Sequence, residues 1–562
     1  MRNRPVLLAF ASLLLLGSAQ ARETAPLFAK SEPDALSYGA YLSARVAADE
    51  HDMADAARFY RQSLDRDPND PTLLALAFFY ETSAGEIDRA SELASRMVVA
   101  TPDDRASRLV LAVSALKRGN YKEARAQIDK SAKGTFASLT VALVDAWAAA
   151  GAGDEVSALT DMKSLSGQSG AESMAAFHQA LLLDYLGKTE AADAAYNEAM
   201  KADVPAPRLF NAYGRFLERQ GRKADAQALY DKLASNGALA PVVAVARARM
   251  AKGEKPDPMI ERPGDGVSEA LFGIAASLTE ESSADVSVLY LRLALYLKPD
   301  FDLANILLGD RMDTLQKYAD AIDAYKNVPK DSPYRRMAQI QVATDEARLD
   351  KTDDAIAALK QLAADDPNDV STWTALGDAY RADSKFADAA AAYDHAVTAL
   401  GTPQKKDWPL FYARAIARDR SKDWPGAEAD LQAALKLSPD EPQTLNYLGY
   451  SYVDQGRNIP EALKMLEKAR SLKPYDGYIV DSVGWAYYKL GRYGEAAKTL
   501  QDAILLVPGD PTINDHYGDA LWKIGRKLDA RFQWNHALVF GPDAPEKSEI
   551  EKKLQTDGAD HS

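Results

Sequence analysis

The chain has 562 residues, far more than one compact core accommodates, so we expect several domains or an elongated array of small units. Its formal net charge of −15 is spread along the sequence and disfavours nucleic acid as a partner, because phosphate binding requires clustered lysine and arginine. The absence of cysteine excludes disulfides, thiolate metal sites, a cysteine nucleophile and a lipid-modified N-terminal cysteine.

Residues 1–21 have the pattern of a secretory signal peptide. Arg2 and Arg4 precede an apolar run at residues 6–16, and small residues at Ala19 and Ala21 occupy the positions that a signal peptidase reads. The run is about 11 residues long, whereas a membrane-spanning helix needs about 20, and no later segment reaches that length. We therefore expect cleavage after Ala21 and export to a bacterial periplasm without a membrane span. An uncleaved anchor is the less favoured alternative.

A pattern with a step of about 34 residues then recurs along most of the chain. Its clearest marker is a small residue, found at Ala56, Ala90, Ala124, Ala158, Ala192, Ala226, Ser287, Ala321, Ala355, Ala389, Ala427, Ala462, Ala496 and Ala530. About twelve positions earlier lies a second small residue, which is glycine at Gly214, Gly309, Gly377, Gly449, Gly484 and Gly518 and alanine in most other repeats. Two helices approach closely only where side chains are nearly absent, so we expect the two small positions of each repeat to pack together.

Other positions of the pattern agree with a pair of helices. Large apolar or aromatic residues follow the marker alanine by four positions, one helical turn further along the same face, as at Tyr60, Tyr196, Tyr230, Tyr325, Tyr393, Leu431, Leu500 and Trp534. Prolines close many repeats, and glycines such as Gly187, Gly221, Gly456, Gly491 and Gly525 mark the turn between the two helices.

The repeat register breaks once, in the proline- and glycine-rich segment 252–266, which is predicted to be a linker because such a composition does not continue a helix. It divides an N-terminal array, residues 36–251, from a C-terminal array, residues 267–545. Each array has enough repeats to bury a continuous core. Residues 546–562 are predicted to form a capping helix and a tail, with the helix over residues 546–554.

One repeat matches a known repeat motif at every position except the closing proline. The motif W-x2-L-G-x2-Y followed by A-x3-F/Y-x2-A is matched by Trp373, Leu376, Gly377, Tyr380, Ala389, Tyr393 and Ala396, although the closing proline comes late, at Pro403. This segment resembles the tetratricopeptide repeat (TPR) family, and the C-terminal repeats look like those of exported bacterial envelope adaptors. The resemblance implies an all-α fold, a right-handed α-solenoid of about fourteen stacked antiparallel helix pairs. Some such adaptors are lipoproteins, and the missing cysteine departs from that pattern.

The resemblance also implies that the first helix of each repeat lines a concave groove. Groove positions in the last three clear repeats are Asn446, Tyr450 and Val453, then Asp481, Trp485 and Tyr488, then Asp515, Asp519 and Trp522. Aromatic rings combined with amide and carboxylate groups suit a peptide, and the three aspartates favour a neutral or basic extended segment. Packing between repeats is the alternative interpretation of the aromatic residues.

No catalytic, cofactor or metal site is predicted. The six histidines, at His51, His178, His395, His516, His536 and His561, lack any ligand spacing. No nucleophile, base and orienting group can be assembled, so we expect no enzyme activity. The sequence thus favours an exported scaffold or adaptor that binds protein partners. The alternative is a structural component of an outer-membrane, secretion or polysaccharide-export assembly.

Overall fold

The computed structural model of the protein describes residues 35–132, 135–163, 165, 172–201, 207–234 and 240–555. Over these ranges the chain forms thirty α-helices, two short 3-10 turns and no strand, which confirms the all-α prediction. None of the described helices is both long and apolar enough to cross a membrane. The predicted signal peptide, residues 1–21, lies outside the described residues.

The chain divides into two compact parts, Met1–Lys351 and Thr352–Ser562, called here the N-terminal and C-terminal lobes. The described helices of the N-terminal lobe are α1 (Ala35–Asp49), α2 (Met53–Arg66), α3 (Pro71–Ala84), α4 (Ile87–Ala100), α5 (Arg105–Lys117), α6 (Tyr121–Ile128), α7 (Thr135–Gly151), α8 (Glu155–Lys163), α9 (Glu172–Tyr185), α10 (Thr189–Ala199), α11 (Pro207–Arg219), α12 (Lys223–Ala234), α13 (Ala240–Lys252), α14 (Pro263–Ser277), α15 (Ala284–Leu297), α16 (Asp302–Thr314), α17 (Tyr318–Lys326) and α18 (Arg335–Arg348). Those of the C-terminal lobe are α19 (Thr352–Asp365), α20 (Val370–Ala382), α21 (Phe386–Leu400), α22 (Trp408–Arg420), α23 (Trp424–Leu437), α24 (Pro442–Asp454), α25 (Ile459–Leu472), α26 (Gly477–Lys489), α27 (Tyr493–Leu506), α28 (Pro511–Lys523), α29 (Lys527–Val539) and α30 (Ala544–Gln555).

This division differs from the predicted one, which placed the boundary in segment 252–266. That segment is anchored to the N-terminal lobe, because Met259 and Ile260 are buried in its core and α14 begins at Pro263. A Cβ atom at Gly266 would lie 2.2 Å from the Trp147 ring of α7, so the two helices pack closely at this glycine. Proline and glycine here serve a helix start and a close contact instead of a free linker.

Within a repeat, a short left-handed turn joins the two helices. The predicted turn glycines adopt positive φ, for example +75° at Gly491 and +83° at Gly525. Ser384 and Lys422 occupy the same turn with φ of +57° and +70°, which explains why some repeats lack the turn glycine. Aspartates cap several helix starts; the Asp510 carboxylate at the start of α28 accepts a hydrogen bond from the Ile513 N–H at 2.9 Å.

The small positions of each repeat are buried as predicted. Every marker residue, including Ser287, has no exposed surface. The Ser287 hydroxyl donates a 3.0 Å hydrogen bond to the carbonyl of Ala275, the small residue of the preceding helix, so the two positions face each other. Helix pairs therefore approach at these sites, and the predicted packing is confirmed.

The glycine of the first helix leaves space for a larger side chain of the second. A Cβ atom at Gly377 would lie 2.4 Å from Cε1 of Tyr393, and one at Gly484 would lie 2.6 Å from Cγ of Leu500. Both covering side chains follow the marker alanine by four positions and have no exposed surface. The glycine therefore serves two purposes. It leaves room for the large side chain of the second helix, and it allows the two helix backbones to approach.

Three repeats add a hydrogen bond to this contact. In them the residue after the glycine is an aspartate whose carboxylate accepts a bond from the covering aromatic ring. The pairs are Tyr325 Oη to Asp310 at 2.6 Å, Tyr393 Oη to Asp378 at 2.7 Å and Trp534 Nε1 to Asp519 at 3.0 Å. Since Asp519 is also a predicted groove residue, its orientation is set by the repeat packing.

An ion-pair cluster around the buried Asp430, called here the Asp430 cluster, connects α21, α22 and α23. Asp430 Oδ1 lies 2.5 Å from Nη2 of Arg414, and Asp430 Oδ2 lies 2.9 Å from Nη1 of Arg418. Both arginines also contact Asp394 of α21, at 2.9 and 2.7 Å. Two successive repeats are therefore joined by charge as well as by apolar packing.

Candidate functional site

The predicted groove residues lie on α24, α26 and α28, the first helices of three successive repeats of the C-terminal lobe. We call the surface carrying these residues the first-helix face. Capping at the helix start fixes where α26 begins. The Asp476 carboxylate accepts hydrogen bonds from the Tyr478 and Ile479 N–H groups, at 3.1 and 3.3 Å. Each helix therefore presents its residues at a defined rotation.

At the α24 end of this face, Asn446 and Tyr450 are half-buried. The side-chain oxygen of Asn446 is buried without a hydrogen-bond partner among the described residues. Burial raises the pKa of the Tyr450 phenol above its ordinary value, and the carboxylates of Asp481 and Glu546 add to the shift. Val453 was predicted to face the groove, but it is buried in the core and this assignment is wrong.

The α26 part of the face contains a stack of three rings. The Trp485 ring lies parallel to Tyr488, with centroids 4.7 Å apart, and to His516 of α28, with centroids 3.9 Å apart. Trp485 is only 9% exposed, and its indole N–H is buried without a hydrogen-bond partner in the part of the chain that the structure describes. The structure thus places Trp485 in packing between two repeats, where it supports the His516 ring.

His516 forms an ion pair with Asp481 on the neighbouring helix. Its Nδ1 atom lies 3.0 Å from both carboxylate oxygens. Burial disfavours charge on the ring, but the Asp481 carboxylate outweighs burial and raises the pKa of His516 above its ordinary value. The carboxylate of Asp481 is consequently engaged by the protein itself.

The α28 end of the face carries two adjacent carboxylates, Asp515 and Asp519, which hold a lysine. Nζ of Lys553, from α30, lies 2.8 and 2.7 Å from the two Asp515 oxygens and 2.9 Å from Oδ2 of Asp519. Burial, followed by the Asp519 charge, raises the pKa of Asp515 to about 6. Burial also opposes charge on Lys553, but both carboxylates outweigh it and raise the pKa of that ammonium.

Trp522, the last predicted groove residue, is half-buried beside these carboxylates. Its ring centroid lies 5.4 Å from that of Trp534, and Nζ of Lys527 lies 4.7 Å from it. Trp522 is therefore a partly accessible ring at the edge of an acidic site.

Of the nine predicted groove positions, Val453 is buried in the core and Trp485 packs between two repeats. The three predicted aspartates are held by His516 and Lys553, which the sequence pattern did not identify. Both side chains are basic, which agrees with the prediction that the aspartates at the groove positions suit basic groups. Lys553 was not identified because its partners lie more than thirty positions earlier on another helix. The face can bind cationic and hydrogen-bonding groups.

Within the described residues no group of histidine, aspartate and glutamate side chains is arranged to hold a metal ion.

Comparison with known proteins agrees with the repeat architecture. The tetratricopeptide repeat profile matches residues 81–138, 177–241, 343–402, 412–477 and 484–545, more than half of the chain. A TPR repeat-containing protein of Pseudomonas aeruginosa is 34% identical over 91 residues, 16% of this chain and 15% of that protein. The cytochrome c-type biogenesis protein CycH of Rhizobium meliloti is 33% identical over 123 residues, 22% of this chain and 31% of that protein.

The chain therefore spans less than a third of the length of either relative. Among solved structures, the APC/C hetero-tetramer Cut9–Hcn1 contains a chain that is 14% identical, with a TM-score of 0.39, covering 92% of this chain and 96% of that one. Because the repeat profile matches more than half of its residues, the chain belongs to the tetratricopeptide repeat family.

Proposed function

We propose that this protein is an exported scaffold that holds segments of other proteins on the first-helix face of its C-terminal lobe and performs no catalysis. The repeat family supports a role in protein–protein interaction. Export to the periplasm is supported by the charged, apolar and small-residue pattern of residues 1–21. An extended row of repeats suits such a role because stacking creates a long continuous surface.

The observation that carries the proposal is the acidic site at Asp515 and Asp519. These carboxylates bind a lysine side chain through three contacts shorter than 3 Å. Toward α24 the same face offers the unpartnered oxygen of Asn446 and the half-buried Tyr450, which can bond a main-chain amide and supply contact area. A basic protein segment that takes the place of Lys553 therefore finds complementary charge and polarity along the face.

Site-specific photo-crosslinking in the native host tests this role. A photoreactive phenylalanine analogue replaces Tyr450 in one variant and Leu505 in a control, since Leu505 is 77% exposed on the second helix α27. We expect discrete adducts with a protein from the first variant only, and weaker yield when Asp519→Asn is added. Equal crosslinking from both positions, or none from position 450, would contradict the proposal.

Export has its own test. Osmotic-shock fractionation followed by mass spectrometry of the purified protein should find it in the periplasmic fraction with an N-terminus at Arg22. Retention of residues 1–21 in the cytoplasmic fraction would refute export while leaving the binding role intact.

A second candidate is a structural component of a larger envelope assembly, favoured by an apolar stripe on α29. Leu528, Phe532 and Val539 share one side of this helix and are 85%, 65% and 77% exposed. Sedimentation velocity at several protein concentrations distinguishes the two roles. Ordered self-association that Phe532→Asp abolishes would favour the assembly role, and a constant monomer would favour the scaffold.

A further inference from the structure

We infer that α30 occupies the first-helix face as an internal ligand, and that the partner segment which replaces it is a short amphipathic helix with an aliphatic residue three positions before a lysine. This inference rests on the proposed function and specifies its partner. It also gives α30 a role beyond the predicted cap of the last repeat.

The contacts of α30 define what the face accepts. Ile550 has no exposed surface and joins the apolar cluster of Leu500, Leu521 and Trp534. Lys553, one helical turn later on the same side, is 6% exposed and binds the two aspartates. An apolar side chain and a cation at this spacing are thus the two features that the site recognises.

The attachment of α30 is small. Ile550 and Lys553 are its buried residues, and Arg531 donates a 3.1 Å hydrogen bond to the carbonyl of Leu554 near its end. Leu554 packs partly buried against the same apolar cluster as Ile550, and the remaining side chains of α30 are mostly charged and exposed. Elements held by few buried contacts open more readily than the core, so α30 is suited to exchange with a competing segment.

Charge requires that a competitor carry a cation. Asp515 and Asp519 lie one turn apart on α28 and are largely buried, so the departure of Lys553 leaves two carboxylates without a counter-ion. Leaving buried charges unpaired is strongly unfavourable. A segment with an apolar residue alone does not compensate for this loss, whereas one that brings a lysine does.

The probe for this inference is a labelled synthetic peptide with the sequence of residues 544–555. Its binding to the full chain is measured by fluorescence anisotropy for the wild type, Lys553→Met and the control Lys547→Met. Lys547 is on the same helix, but its side chain is 59% exposed and its ammonium lies 4.0 Å from the exposed carboxylate of Glu551. Circular dichroism confirms that each variant is folded.

We expect the peptide to bind Lys553→Met at least about tenfold more tightly than the wild type, because the internal competitor has lost a buried charge contact. Lys547→Met should behave as the wild type. The peptide carrying K553M should bind none of them, and adding Asp515→Asn and Asp519→Asn to Lys553→Met should abolish binding. Equal affinity of the peptide for wild type and Lys553→Met would overturn the inference.

Hydrogen exchange on the unmodified chain provides an independent measurement. Excess peptide should accelerate amide exchange in α30 and slow it in α28, and unchanged exchange in α30 would overturn the inference even if a variant failed to fold. If a partner crosslinks at position 450 without faster exchange in α30, the scaffold role stands and this inference fails. If the peptide displaces α30 but no partner crosslinks, the inference about α30 stands and the proposed function fails.

Discussion

Replacement of Gly518 by alanine tests how the repeat packing supports the acidic site. The added Cβ atom would lie 2.5 Å from Cδ1 and Nε1 of Trp534 and 3.2 Å from the carbonyl oxygen of Ala530. Neither neighbour is a flexible chain end, because one is a fully packed ring and the other is helix backbone. The ring must therefore shift, and with it the hydrogen bond from Trp534 to Asp519.

The size of the effect follows from these distances. Packed carbon atoms lie about 3.5–4.0 Å apart, so the new atom overlaps the ring by roughly 1 Å. Overpacking of this kind costs about 1–3 kcal/mol, and alanine regains up to about 1 kcal/mol of helix propensity. After subtraction of about 1 kcal/mol the net loss is at most about 2 kcal/mol, which lowers the melting temperature of a lobe of this size by up to roughly 8 °C.

Calorimetry of the full chain measures this change against a matched control. Gly494→Ala, in α27 of the same lobe, adds the same atom where nothing lies within 4 Å, so it should leave the melting temperature unchanged or slightly higher. Gly518→Ala should also weaken binding of basic peptides through the displaced Asp519. If both variants melt at the same temperature, the inferred packing role of Gly518 is wrong.

Three further predictions concern single contacts. Tyr393→Phe removes the hydrogen bond that the Tyr393 hydroxyl donates to Asp378 and the one that it accepts from Arg381, and should lower the unfolding free energy by about 1 kcal/mol in urea titration; no change would show that the hydroxyl adds nothing. Asp430→Ala removes the buried partner of Arg414 and Arg418, which keep the exposed Asp394, and should cost less than the roughly 3–5 kcal/mol of a fully unpaired buried charge, measured the same way. Burial and the Asp313 carboxylate raise the pKa of Asp345 to about 7, although the neighbouring Arg348 lowers it. The contribution of Asp345 to stability is therefore fully present below about pH 4 and is lost as the pH rises through 7. Asp345→Asn should therefore reduce the difference in urea midpoint between pH 5 and pH 8, and an unchanged difference would refute this assignment.

Much of the architecture was predictable because its constraints are local. The two helices of a repeat are joined by a short turn, so the small positions that pack together lie about twelve residues apart in each repeat. Ala389 and Gly377 are one such pair, and both are buried in the structure. The same periodicity predicted the first-helix positions of α24, α26 and α28, but it did not distinguish the buried Val453 and Trp485 from half-buried positions such as Tyr450.

The sequence by itself determined the all-α repeat architecture and the acidic character of the face, because periodicity and composition are properties of neighbouring residues. Only the tertiary structure decided that segment 252–266 is packed into the N-terminal lobe, that Trp485 supports His516 between two repeats, and that Lys553 holds Asp515 and Asp519. These contacts join residues on separate helices at distances along the chain that no repeat period specifies. Their formation depends on how the assembled helices place charged and apolar groups in space, and this geometry is absent from the periodic pattern.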